Sequence, residues 1–173
     1  APPKAPAAAP AVTHAPPPSV PGMVCDRVGG GIVAAVCATT VLKAQSGNSY
    51  GPANIFDGSN RTAWVEGVDG NGEGEWLRFD FSGEATVGRV VVSNGYAKSD
   101  DIYKKNSRIR DVALEFSGGE RFDFTLADQT GPQAFDFDRK VVATWMRLEV
   151  RSVYKGWKYT DTALNEVRVE AAR

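Results

Sequence analysis

The sequence predicts an all-β protein: a β-sandwich of jelly-roll type with about eight short antiparallel strands, behind a disordered Pro/Ala-rich N-terminal tail. Three observations predict it. Short segments alternate apolar and polar residues with a period of two. No segment sustains the 3.6-residue apolar spacing of an amphipathic helix. Clusters of Gly, Ser, Asn and Asp punctuate the alternating segments. One-sided alternation means that each sheet buries one face, so two sheets have to stack.

The elements follow in chain order. Residues 1–21 are mostly Ala and Pro and cannot build a core; they read as a linker in extended polyproline II form, with the folded domain spanning 22–173. Cys25 and Cys37 sit symmetrically about Gly31, so a hairpin turning on Gly29-Gly30-Gly31 would bring them face to face. A disulfide there and two buried thiols are both open readings, the first implying an oxidising compartment. Residues 33–42 are β-prone. In 76–81, Leu77, Phe79 and Phe81 share one face, with Trp76, Arg78 and Asp80 opposite. Residues 87–93 form a Val-rich run. Residues 111–116 and 121–126, joined across Ser117-Gly118-Gly119, make the clearest hairpin. Phe135 and Phe137 mark a short strand. Residues 144–153 set Met146, Leu148 and Val150 against Trp145, Arg147 and Glu149, and 164–169 close the domain. Trp64 and Trp76 read as core residues. The loops at 43–75, 94–110 and 154–163 are long for hairpin connections and rich in aromatic and charged side chains, which marks them as ordered and functional.

Composition excludes several functions. Twenty Lys and Arg balance 21 Asp and Glu, for a net charge of −1, without the basic excess of a nucleic-acid binder. No apolar run reaches the roughly 18 residues of a membrane helix. The N-terminus lacks a charged region followed by an apolar one, so no signal peptide is read there, and that does not assign the protein to the cytoplasm. No phosphate-binding or dinucleotide fingerprint is present. The single histidine, His14, lies in the tail, so no Ser-His or Cys-His pair is expected and the chain is not read as an enzyme.

Three stretches carry a family resemblance. Ala53-Asn54-Ile55-Phe56-Asp57-Gly58 with Thr62-Ala63-Trp64, the strand Glu75-Trp76-Leu77-Arg78-Phe79-Asp80-Phe81, and the closing Asp161-Thr162-Ala163-Leu164-Asn165-Glu166-Val167 resemble a discoidin (F5/8 type C) domain and galactose-binding-like carbohydrate modules. Asn94-Gly95-Tyr96-Ala97-Lys98, the run from Tyr103 to Ile109, and the Tyr154 to Leu164 loop are similar to a bacterial subgroup, the glycan-binding translocation domain attached to a secreted NAD-glycohydrolase. The resemblance covers roughly residues 33–170 and implies a galactose-binding-like jelly roll. It also implies a structural Ca²⁺ held by Asp57, Thr62 and Glu166, with Asn60 as a further ligand. Calcium takes six to eight oxygens of mixed type, which a carboxylate, hydroxyl and amide set supplies. A metal-free turn capped by Asp57 is the open alternative.

The function this implies is a noncatalytic carbohydrate-binding and adhesion module of a secreted or cell-envelope bacterial protein, at the periplasm or cell surface. Its partner would be a glycan or cell-surface polysaccharide. Aromatic rings stack on the apolar face of a sugar while amides and charges bind hydroxyls. Tyr96, Lys98, Tyr103, Asn106 and Arg108 in one loop, and Tyr154, Trp157, Lys158 and Tyr159 in the other, have that mixture, and their basic character suits an anionic sugar. The alternative is a protein–protein interaction or structural module of an envelope assembly that uses the same loops on a protein partner.

Overall fold

The computed structural model describes residues 5–173, so the first four residues of the expected 1–21 linker lie outside the described residues. Among the described residues the strands are β1 Val24–Arg27, β2 Val33–Ala38, β3 Trp64–Val65, β4 Trp76–Asn94, β5 Ser107–Ile109, β6 Asp111–Phe116, β7 Arg121–Thr125, β8 Pro132–Val150, β9 Val153–Tyr154 and β10 Thr162–Ala171. A short 3₁₀ turn spans Pro52–Phe56, and one helix, α1, spans Asp100–Lys105. Helix α1 falls in the 94–110 loop, where apolar spacing gives no sign of it. It is a single capped turn: the Ser99 hydroxyl accepts from Ile102 N–H, Asp100 and Asp101 lie in its first turn, and Lys104 and Lys105 in its last.

Expected separate strands fuse into long ones. The 76–81 and 87–93 segments are one 19-residue strand, β4, and Phe135 and Phe137 join 144–150 in the equally long β8. The intervening Ser82-Gly83-Glu84 lies within β4, where the pairing with β8 shifts register between Asp80 and Ala85. Bent there, β4 and β8 serve both layers. One layer runs β1, β2, the first half of β4, the second half of β8, β6 and β7. The other is the first half of β8, the second half of β4, and β10, with β3, β5 and β9 at its loop end. The pairing of β10 with β5 is parallel, a departure from a wholly antiparallel sheet.

The core lies between the layers and follows the alternation. Leu77, Phe79, Leu114, Phe116, Met146, Leu148 and Val150 are buried, as are Val90, Val92, Leu164 and Val167 from the opposite layer. Trp64 is fully buried and its Nε1–H donates to Thr40 O at 3.0 Å. Phe124 stacks on Phe135 at 4.1 Å where the two sheet edges meet. Just past the end of β2 at Ala38, the hydroxyls of Thr39 and Thr40 both donate to the Glu75 carboxylate.

Cys25 and Cys37 are direct cross-strand partners in the β1–β2 hairpin and are joined as a disulfide. The hairpin turns on Gly30 and Gly31 at φ 84° and 79°, values that glycine adopts without steric cost. The Pro/Ala segment carries no helix or strand over residues 5–20, yet it differs from the expected disordered tail, because residues 14–18 are bonded to the sandwich. Ala15 N–H donates to Ser117 O (2.8 Å), Trp145 Nε1–H donates to Ala15 O (2.7 Å), and an Arg78 N–H donates to Pro18 O (2.5 Å).

Candidate functional site

The first cluster forms where the 3₁₀ turn ends. Pro52 opens that turn and Asp57 caps its C-terminus, after which Gly58 takes φ 70°. Asp57 accepts from Ser59 N–H (2.8 Å) and from the Thr62 hydroxyl (2.6 Å), which closes the loop on itself. Strand β10 supplies the rest. Leu164 pairs with Asn94 and Glu166 with Ser93, so Asn165 is an extra, bulged residue. The bulge lets two successive side chains reach the same loop. Asn165 Nδ2 donates to Ser59 O and Thr62 O, both at 2.8 Å, and Glu166 accepts from Gly58 N–H at 2.9 Å. Burial, and then the neighbouring Asp57 carboxylate, push the Glu166 carboxyl up from 4.5 to about 7.

Asp57, Thr62 and Glu166 are therefore brought together across more than a hundred residues of chain. Asn60 is exposed and lines an adjoining hollow together with Gly58, Ser59 and Glu166. Asn165 and the carbonyls of Ser59 and Thr62, which the residue pattern did not single out, complete the cluster. Among the described residues no group of three or more His, Cys, Asp and Glu is placed to hold a metal. The donor set is two carboxylates plus neutral oxygens. That suits a hard, oxygen-seeking cation such as Ca²⁺ and not a transition metal. Burial and then the Asp57 carboxylate disfavour the ionised form of Glu166, a cost that a cation bound between the two carboxylates would relieve.

The second cluster is at the loop end. Arg108 on β5 is buried and grips Asp128 with two bonds, Nε–H at 3.0 Å and Nη2–H at 2.7 Å; the Tyr103 hydroxyl donates to the same carboxylate at 3.0 Å. The guanidinium also lies 5.1 Å from the Tyr103 ring centre. Arg108 holds Asp128 below the usual carboxylate range, while burial and then Asp128 raise the Tyr103 hydroxyl. Tyr103 and Arg108, expected to face a ligand, are instead buried and hold the loop together. Tyr154 donates its hydroxyl to Leu126 O at 2.8 Å, a second anchor for the same region. The terminal carbonyls of α1 are satisfied from the neighbouring loop: Trp157 N–H donates to Lys104 O (3.1 Å) and Tyr159 N–H to Lys105 O (2.8 Å). Gly156 makes that approach possible, since a Cβ there would lie 2.3 Å from Lys105 O.

Between these loops is a cavity of about 310 Å³. Tyr50 and Tyr96, edge to face at 6.3 Å, line it with Gln45, Ile102, Lys105, Asn106, Tyr159 and Asp161. Burial raises both the Tyr96 hydroxyl and the Asp161 carboxyl. Lys105 pairs with Asp101 and lies 5.7 Å from the Trp157 ring, and Lys158 sits over Tyr159 at 5.2 Å. Lys98 reaches Asn48 at 3.4 Å. With Arg108 and Lys105 already paired, the cavity is less basic than its sequence suggests. Trp157, 66% exposed, and Tyr159, 44% exposed, stand at its outer margin. Asp161 belongs to the same loop as Tyr159, whereas Tyr50 escaped the sequence-derived ligand set because only the fold places it beside Tyr96 around one hollow.

One sequence expectation is corrected. A Ser-His pair does form: His14 Nε2 lies 2.7 Å from Glu84 and Nδ1 lies 2.8 Å from the Ser117 hydroxyl. The tail reaches the sandwich because residues 14–18 pack on it. The arrangement has the members of a hydrolytic triad but not the access: Ser117 is 1% exposed and its hydroxyl already accepts Thr144 N–H at 2.8 Å.

Residues 27–170 match the family described as the NAD glycohydrolase translocation F5/8 type C domain. No curated protein matches the sequence. Among solved structures, the chain is similar to CpGH89CBM32-5 from Clostridium perfringens, in complex with GalNAc-β-1,3-galactose (TM-score 0.62, 17% identity, 79% of this chain and 94% of that one). It is also similar to the family 32 carbohydrate-binding module of C. perfringens NanJ, in complex with galactose (TM-score 0.59, 14% identity, 78% and 90%). A third likeness is to the arabinofuranosyltransferase AftD from mycobacteria (TM-score 0.62, 17% identity), where 91% of this chain covers 12% of that one. At these identities the likeness establishes the jelly-roll sandwich.

Proposed function

Because the chain belongs to the NAD glycohydrolase translocation F5/8 type C domain family, we propose that it is a noncatalytic glycan-binding module. The observation that supports this reading is the loop-end cavity, where Tyr96, Tyr159, Asn106 and Asp161 from three separate segments face one space. A sugar ring entering it stacks its C–H face on Tyr159 or Tyr96. The Asn106 amide and Asp161 carboxylate then bind its hydroxyls, a carboxylate accepting from two at once. Since Lys105, the one basic residue lining the cavity, is already paired with Asp101, the ligand is a neutral sugar before an acidic one. The disulfide fits a secreted or envelope location.

The Asp57–Glu166 cluster would hold a structural Ca²⁺ with Asp57, Thr62 and Glu166. When bound, the ion supplies the positive charge that two adjacent carboxylates lack. This chain's own residues prepare for it. Gly58 turns the backbone, Asn165 fixes the Ser59 and Thr62 carbonyls, and Glu166 ties the loop to the last strand.

Galactosides, the ligands in the two clostridial structures, are the first to test. Calorimetric titration after a glycan-array screen should show binding that Tyr159→Ala and Asp161→Asn each weaken by at least about tenfold without changing the unfolding transition. Array hits that both variants retain in full would overturn the site. Trp157, 66% exposed at the cavity's outer margin, favours a second reading as a docking point for a protein partner; an empty array together with a copurifying envelope protein would select it.

A further inference from the structure

Trp145 is on the wrong face to be buried. It pairs across the sheet with Asp80, and Arg78 and Arg147 share its side, while its neighbour Met146 points into the core. That side is the outer surface of the layer, yet Trp145 is only 4% exposed. The N-terminal strap covers it. Val12 lies against Gly118, where a Cβ would come within 3.2 Å of the valine, and His14 is clasped between Ser117 and Glu84.

The chemistry of the contact is specific. Ala15 is followed by Pro16-Pro17-Pro18, so Ala15 is held extended and the three prolines offer carbonyls but no N–H groups. Beyond the Ala15 N–H, which donates to Ser117 O, the backbone of this stretch can dock only against donors. Two donors meet it: the indole N–H of Trp145 at Ala15 O, 2.7 Å, and the Arg78 guanidinium at Pro18 O, 2.5 Å. These carbonyls are three residues apart, and a polyproline II helix turns once every three residues, so both point to the same side. Arg78 is in turn fixed by two bonds to Asp80, 2.7 and 2.9 Å, and the guanidinium lies 3.5 Å from Cys37 Sγ, beside the disulfide that pins β1. A tryptophan N–H and a flat aromatic wall, with further donors set at the polyproline repeat, make a general solution for binding proline-rich chains.

We propose that the outer face around Trp145, Arg78 and Ser117 is a docking groove for a proline-rich segment in polyproline II form, and that residues 12–18 of this chain are its occupant. The strap is then a bound internal ligand, which makes it a fixed splint where composition alone indicates a loose tether. The inference is independent of the glycan site, which lies at the loop end and shares no residue with the groove.

The test begins with the full chain. Hydrogen exchange followed by NMR should show the Ala15 amide slowed by at least about tenfold over the same residue in a free peptide. A full-length variant with residues 12–18 replaced by a Gly/Ser run should shift the Trp145 indole N–H resonance and expose it to exchange. A synthetic peptide of residues 5–21 added to that variant should restore the resonance saturably, and adding Trp145→Phe should weaken the peptide about fivefold. An unprotected Ala15 amide in the native chain overturns the proposal, whether or not the replaced variant folds. A folded variant that ignores the peptide overturns it as well. Protection that vanishes on dilution, alongside a dimer by light scattering, would mean that the groove takes the strap of a second copy and would overturn the internal assignment.

Discussion

The raised carboxyl of Glu166 makes the loop-to-strand junction measurable by pH alone. Burial and then Asp57 hold this group at about 7, against 4.5 unperturbed, so the folded chain binds a proton there that the unfolded chain has released. Between these values the native state carries the extra proton, and stability therefore falls as pH rises from about 4.5 to about 7 and is level above. Moving one carboxyl over that interval is worth about 3 kcal/mol as an upper limit. Glu166 is only half-buried, and solvent screening brings the expected loss to ~1–2 kcal/mol. That corresponds to ~2–8 °C in midpoint for a domain of this size. Glu166→Gln keeps the shape and the acceptor for Gly58 N–H but cannot ionise, so its contribution should be flat with pH and it should exceed the native chain in stability near pH 8 in chelator. Urea denaturation at pH 4.5, 6 and 8, in chelator and in millimolar Ca²⁺, reads all of this. Calcium should remove the loss at pH 8 in the native chain and do nothing for Glu166→Gln. Parallel native and variant curves across the range would refute the coupling; a calcium response that survives Glu166→Gln would refute the shared ion.

Two further outcomes follow from the loop end. Arg108→Ala leaves Asp128 and the Tyr103 hydroxyl without their shared partner and should cost about 3 kcal/mol in urea denaturation; a loss well below 1 kcal/mol would return Arg108 to the ligand set. Gly95 has φ 72°, and a Cβ there would meet the Tyr103 ring at 2.4 Å, so Gly95→Ala should lower the thermal midpoint by several degrees, about 2 kcal/mol or more, and near-native melting would contradict that packing.

The alternation in residues 76–81 and 144–150 identified their buried faces because a period of two maps directly onto a sheet. It could not show that β4 continues through Ser82-Gly83-Glu84, since a bend inside a strand and a turn between strands use the same residues. Asp57, Thr62 and Glu166 were legible through a family resemblance, but Asn165 was not, because a bulge depends on pairing with Asn94 and Ser93 and leaves no mark on β10 itself. Arg108 looked available because its partner, Asp128, sits in a different loop. Trp145 carried the outward phase of its strand and is nonetheless buried, 4% exposed; Trp76, in the outward phase of its own strand but read as a core residue, is buried as expected, 8% exposed. For Trp145 the cause is the strap, and for Trp76 an Arg147 guanidinium 5.5 Å from the ring contributes. Period reports which layer a side chain faces and says nothing about what another segment later lays over it.

The pairing of β10 with β3, β4 and β5 has a consequence for biosynthesis. Val65 waits for Ala163, Ser107 for Thr162 and Val92 for Val167, so most of the loop-end half lacks its hydrogen-bond partner until β10 has been made. A nascent chain stopped before residue 162 has one layer with an open edge, and closing loops of this length makes the final step slow. A chain that lacks β10 therefore keeps this layer unfinished, and protease resistance of the loop-end half should appear only once residues 162–171 have paired with β3, β4 and β5.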